Sequence, residues 1–285
     1  MNKENVDFLK ERLYFLGFSE KLDKELETKI AAKEEKFTLS YPGEFGKEGA
    51  KKTVNYDFDF SKSKEKDMYF LNNFTATLNP GTDKERSQKF FLNNGSGVTG
   101  KEAFNLLEGR AVFKTNLTKK PKEDAGPDEK PEKYAAWIQL NFKEKNEHGN
   151  YKQNQFHEKW KYDLEKTLGR HPIKELNSTV QKEDLIKSLQ KGNLQSVTFS
   201  KDGNESKMFV EANPRERNIN VYDENMKKQF QGIKQAKSEG KGESQSQGVD
   251  GGGAEGKNQK ENAKAGQKLD SDPPAKAKKR KGMSV

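Results

Sequence analysis

The sequence predicts an α+β protein, mainly antiparallel sheet with short helices, ending in a disordered basic C-terminal tail. Three observations lead there. Segments of period-two hydropathy with one polar face recur along the chain, the pattern of half-buried antiparallel strands. Short stretches of helical period lie between them, with start or stop residues in place. After about Gly232 apolar residues nearly vanish and no periodicity survives.

The elements follow in order. Val6, Leu9 and Leu13 give one helical stripe that Gly17 ends, and Leu22, Leu26 and Ile30 give a second for which Ser19 is the expected cap. Strands are expected at 37–41, 53–60, 68–78 and 87–93. In the second of these Val54, Tyr56, Phe58 and Phe60 point one way and Asn55, Asp57 and Asp59 the other. Asn79-Pro80-Gly81 closes the third strand with a turn. A short helix at 101–108 precedes a strand at 111–116.

The segment 118–133 holds three prolines and no large apolar residue, so it reads as a surface loop or insert. Beyond it lie a strand at 134–142, a turn at 146–150, and helical pieces at 160–168, 172–176 and 182–190. A hairpin is expected from 194–200 and 206–213, and a last strand at 219–223. Helix, Gly109, strand, loop, strand is echoed by helix, Gly192, strand, turn, strand. The expected organisation is an N-terminal lobe at 1–117, the insert, a second lobe at 134–232 and the tail at 233–285.

Of the 285 residues 30% are hydrophobic and 35% charged, and mean hydropathy is -1.18, so part of the chain is expected to stay outside any core. No run approaches the ~20 apolar residues of a membrane helix. Asp7, Lys10, Glu11 and Arg12 interrupt the N-terminal stretch, which therefore does not read as a signal peptide. The expectation is a cytoplasmic protein without membrane contact. The absence of cysteine removes disulfides, thiolate metal sites and thiol nucleophiles. Net charge is +9, of which +5 lies in 234–285.

Gly95, Gly100 and Lys101 spell G-x-x-x-x-G-K, the frame of a phosphate-binding loop, but Glu102 stands where Ser or Thr should hold magnesium. A carboxylate there repels phosphate, whereas Thr99-x-x-Glu102 is a capping box. The capping box is the expectation. Asp57 and Asp59 share a strand face, as an acid/base or metal pair would, yet polar residues on the wet face of a sheet have the same appearance. His148, His157 and His171 show no metal-ligand spacing. No catalytic residue, cofactor or metal site is expected.

Nucleic acid is the expected ligand of two stretches. From Asn150 to Tyr162, Tyr151, Phe156, Trp160 and Tyr162 interleave with Lys152, Lys159 and Lys161, so rings can stack on bases while ammonium groups meet phosphates. The bland alternative is a strand-to-helix junction with a solvated lysine side. Near the C-terminus Lys276, Lys278, Lys279, Arg280 and Lys281 form a cluster able to hold DNA or RNA without sequence preference. A merely solubilising tail is the alternative there.

GVTGKEAFNLLEGRAV, KYAAWIQLNF with EHGNYKQNQFH, HPIKEL, SLQKGNLQSVTF and FVEANPRERNINVYDENMKK together resemble, in order, an uncharacterised Bacteroidota domain-of-unknown-function family. Its members are hypothetical proteins, many associated with conjugative or other mobile elements. The resemblance spans roughly Val6 to Lys228. Its members carry Ala where Gly100 stands, in agreement with the capping box, and no catalytic residues are assigned among them. The resemblance implies a cytoplasmic bacterial accessory protein linked to DNA transfer or processing. The expected function is non-enzymatic and nucleic-acid-associated. A protein-protein adaptor is the alternative, and an enzyme using Asp57, Asp59 or Glu102 ranks last.

Overall fold

The computed structural model describes residues 2–46, 51–92, 97–118 and 132–229. They all lie within one compact unit, Met1–Ile233, and form an α+β arrangement of short helices and antiparallel sheets. The expected tail at 233–285 and most of the insert at 118–133 lie outside the described residues.

Helix α1 (Lys3–Phe15) starts at Asn2, whose side chain accepts from Asn5 N at 3.1 Å, and stops before Gly17 at φ +96°. Ser19 does not cap the next helix. It sits at φ +51° and opens a 3-10 turn, Ser19–Leu22, that runs straight into α2 (Asp23–Ala31). The turn's own carbonyls serve the first amides of α2, with Asp23 N donating to Glu20 O, so a capping side chain has nothing to do.

The first sheet runs in chain order: β1 (Lys36–Phe45), β2 (Lys52–Lys62), β3 (Tyr69–Leu78) and β4 (Arg86–Phe91). As expected, Val54, Tyr56, Phe58 and Phe60 face inward. A bulge at Asp59/Phe60 lets both Leu71 and Phe74 of β3 reach the same core despite their odd spacing. Phe18 from the α1–α2 corner enters that core edge-on to Tyr56 and Phe58, ring centroids 4.8 and 4.6 Å away.

Helix α3 (Gly100–Leu107) leads through Gly109 to the middle sheet of β5 (Val112–Thr118), β6 (Lys133–Lys145) and β7 (Tyr151–His157). The strands flanking the 118–133 insert therefore pair with one another. Alternation along β6 sends Ile138 and Leu140 into the core of the first sheet and Trp137 into a second core. Val112 and Ala111 divide the same way, so both cores share this sheet.

Strand β7 is an addition to the sequence expectation. Only 164–168 of the helical piece expected at 160–168 is α-helix: α4 (Leu164–Leu168), capped by Asp163, follows a 3-10 turn at Glu158–Trp160. Helix α5 (Thr179–Gln190) ends at Gly192, and the third sheet runs β11 (Lys228–Gln229), β10 (Asn218–Tyr222), β9 (Asn204–Asn213), β8 (Gln195–Lys201). Asp202 and Gly203, both at positive φ, make the tight turn of the expected β8–β9 hairpin.

The two helix–Gly–hairpin echoes meet at their corners. Asn105 of α3, fully buried, donates through Nδ2 to Lys191 O at 2.7 Å and Asn193 Oδ1 at 2.9 Å. Arg110 donates to Gly192 O at 2.9 Å and to Asn105 Oδ1 at 2.7 Å. Gly192 is required there: its φ is +77°, and a Cβ would stand 2.9 Å from Ala111 O.

Strand edges are closed by side chains. Gln88 Oε1 accepts from Tyr151 N at 2.7 Å and Asn150 Oδ1 accepts from Lys89 N at 2.9 Å, joining β4 to the start of β7. The Glu175 carboxylate accepts from Thr198 N on β8 at 2.9 and 3.0 Å.

Candidate functional site

The near-P-loop is a helix start. Thr99 Oγ1 accepts from Glu102 N at 3.3 Å and Glu102 Oε2 from Thr99 N at 2.9 Å, which completes the expected capping box. Gly100 N donates to Leu16 O and Glu102 N to Thr99 Oγ1, so these two amides are not turned to a phosphate; Gly95 lies outside the described residues. Glu102, largely buried, also pairs with Lys114 Nζ at 3.0 Å, and Lys101 Nζ rests over the rings of Phe45 and Phe104 at 4.6 and 4.8 Å.

Asp57 and Asp59 lie on the outer face of the first sheet. Ser40 Oγ donates to Asp57 at 2.6 Å, and Thr38 Oγ1 and Lys89 Nζ to Asp59 at 3.1 and 3.2 Å. They are cross-strand partners of polar neighbours. Among the described residues no three of His, Asp and Glu gather as a metal-binding set. No described helix is long and apolar enough to cross a membrane.

The Lys/aromatic stretch divides. Lys152, near the start of β7, pairs with Glu144 at 2.9 Å, whereas Lys159 lies in the 3-10 turn beyond the other end of that strand. At the other end, Phe113, Tyr134, Trp137, Phe156 and Tyr162 line an open cleft of about 690 Å³, with His157 and Lys159 beside them. The rings meet one another tilted or edge-on: Phe113–Trp137 with centroids 5.4 Å apart, Trp137–Tyr162 5.5 Å and Tyr134–His157 5.3 Å. Burial pushes the Tyr162 hydroxyl well above the ordinary phenol range, so it stays protonated at neutral pH.

Trp160 lies next to this cleft. Its Nε1 donates to Pro214 O at 2.7 Å, its ring meets Phe156 at 5.5 Å, and the Arg217 guanidinium stands 5.1 Å from its centroid. Lys161 takes a left-handed conformation at φ +55°, ending the 3-10 turn. The structure thus brings Lys159, Trp160 and Lys161 together and leaves Lys152 apart. Lys276, Lys278, Lys279, Arg280 and Lys281 lie outside the described residues.

A second cleft, of about 640 Å³, opens over the third sheet and is polar. Glu211 Oε1 accepts from Asn220 Nδ2 and from the Tyr222 hydroxyl, each at 2.8 Å, and Asn213 Nδ2 donates to Asn220 Oδ1 at 2.9 Å. Arg110 enters from the α3 corner, with Gln139 beside it. Burial lowers the Arg110 pKa, opposed by the Glu108 and Glu211 charges. Arg215 and Lys228 are exposed on the lining. Sequence reasoning missed this cleft and, of the first, missed Phe113, Tyr134 and Trp137. The signal available was the alternation of Glu211 and Asn213 with buried Val210 and Ala212, which marks a wet strand face and no more.

Comparison with family models, curated proteins and solved structures found no match to this chain.

Proposed function

We propose that the protein is a non-enzymatic accessory protein that holds single-stranded nucleic acid, in keeping with a role on a bacterial mobile element. The observation that carries this reading is the ring-lined cleft: the half-buried rings of Phe113, Tyr134 and Tyr162 around one opening, backed by the buried Trp137 and Phe156, with Glu158 and Lys159 at its side. Base stacking on such rings is worth ~1–3 kcal/mol per base and tolerates any sequence. The Lys276–Lys281 cluster adds a salt-sensitive hold on phosphates.

Fluorescence anisotropy with labelled single-stranded DNA and RNA across a salt series tests it. Replacing Lys276, Lys278, Lys279, Arg280 and Lys281 by Gln should flatten the log–log salt slope by about 3.5, at roughly 0.7 for each phosphate no longer neutralised. Tyr134→Ala should weaken binding about tenfold at every salt concentration. Full-length protein with no salt-sensitive binding would defeat the proposal. A protein-protein adaptor is the second reading, favoured by Phe8, Tyr14 and Phe15 on α1, which are 54%, 62% and 70% exposed. Phe15→Glu would disturb that function and leave nucleic-acid affinity unchanged.

A further inference from the structure

We propose that the polar cleft over the third sheet is a guanine-reading site, taking the hydrogen-bonding edge of a base on the strand held in the ring-lined cleft. This rests on the nucleic-acid reading above. The two clefts adjoin through Trp160. Its indole bonds Pro214 O, while Asn213 and Arg215, on either side of Pro214, line the polar cleft. Phe156, which meets the Trp160 ring, and Tyr162, two residues on, line the aromatic one.

The cleft calls for a ligand that brings hydrogen-bond donors. Gln139 is fixed by its Nε2 bond to Gly109 O at 2.7 Å, and its Oε1 is buried without a partner, as is Asn218 Oδ1. Glu211 is oriented by two donors converging on Oε1, so Oε2 is the carboxylate oxygen assigned to the ligand. An oriented carboxylate in a cleft whose lining also carries Gln139 and Asn218 matches a group with adjacent N–H donors.

Charge narrows the choice. Arg110, Arg215 and Lys228 outnumber Glu211 and Glu216 on the lining, which disfavours a guanidinium or ammonium ligand and favours donors carried on an anion. Guanine alone among the common bases presents a ring N–H and an amino group side by side. It also offers O6 and N7 as acceptors on the neighbouring edge, and its nucleotide carries phosphate. Arg215 and Lys228, both exposed on the lining, would serve the acceptors and the phosphate. A volume of about 640 Å³ accommodates a nucleoside.

The test uses full-length protein and two kinds of probe. Mononucleotides (GMP, AMP, CMP, UMP) are titrated calorimetrically, and strands of about 12 nucleotides, all-T or all-T with one central guanine, by anisotropy. GMP should bind, and the guanine-bearing strand should bind about tenfold tighter than the all-T strand. Glu211→Gln keeps an acceptor for Asn220 and Tyr222 while removing the charge. It should abolish the guanine preference and leave all-T affinity unchanged.

Equal affinity for the two strands in the wild type, or a preference that survives Glu211→Gln, overturns the guanine site and leaves the nucleic-acid reading standing. Absence of all strand binding refutes that reading instead, and in that case GMP binding lost in Glu211→Gln would retain the cleft as a free-nucleotide site.

Discussion

Asn105 offers the sharpest test of how the two cores are joined. Asn105→Ala removes two donated bonds, to Lys191 O and Asn193 Oδ1, and one accepted from the Arg110 guanidinium. The site is fully buried, so water cannot replace them without opening the corner. A neutral bond contributes about 1 kcal/mol and one to a charged group about 1.5–3 kcal/mol, and an orphaned buried partner retains its desolvation penalty. Because the three bonds form one network they are not strictly additive, and the expected loss is about 3–5 kcal/mol. For a folded body of this size that corresponds to a melting temperature lower by roughly 10 °C. Urea denaturation followed by far-UV circular dichroism measures the free energy directly. A loss below about 1 kcal/mol would refute the reasoning, because it would mean that Arg110 and the Lys191 carbonyl find partners elsewhere.

Two further outcomes follow from local geometry. An alanine at Gly100 would place its Cβ 2.4 Å from Phe18 Cζ, and that ring is wedged between Tyr56 and Phe58. Gly100→Ala should therefore cost about 1–3 kcal/mol by overpacking despite alanine's better helix propensity, and an unchanged urea midpoint would show that Phe18 yields freely. Burial raises the Asp23 pKa above its ordinary 3.8, against the opposing charge of Lys10, and its Oδ1 is buried without a partner. Folding then favours the protonated form, and that contribution is complete in acid and lost as pH rises through the folded pKa. Asp23→Asn should be more stable than wild type at neutral pH, with the gap closing below about pH 3.8; a pH-independent gap would contradict the assignment.

What the sequence made legible was local. The period-two run from Thr53 to Phe60 and the Thr99/Glu102 pair each state their structure within a few residues, and both are seen. Strand β7 was hidden because Lys152, Gln153, Asn154 and Gln155 follow one another without an apolar beat. What makes it a strand is hairpin pairing to β6 across the 146–150 turn and the bridge from Gln88, which is remote in sequence. Ser19 misled because a side chain suited to capping was present where a 3-10 turn had already served the amides. The clefts were illegible for a related reason. Arg110 and Glu211 line the same opening although about a hundred positions separate them, and wet-face alternation does not say which wet face will meet another.

The shared middle sheet bears on how this protein can be divided. A backbone cut within 118–133 would separate Val112 and Phe113 from their ladder partners Ile138 and Trp137, leaving each piece with an unburied sheet face. Neither half is then a self-sufficient domain, yet each carries a surface complementary only to the other. Two polypeptides meeting at that sheet would restore both cores at once, which makes the junction a natural place to encode the molecule as a complementing pair and a poor place to truncate it.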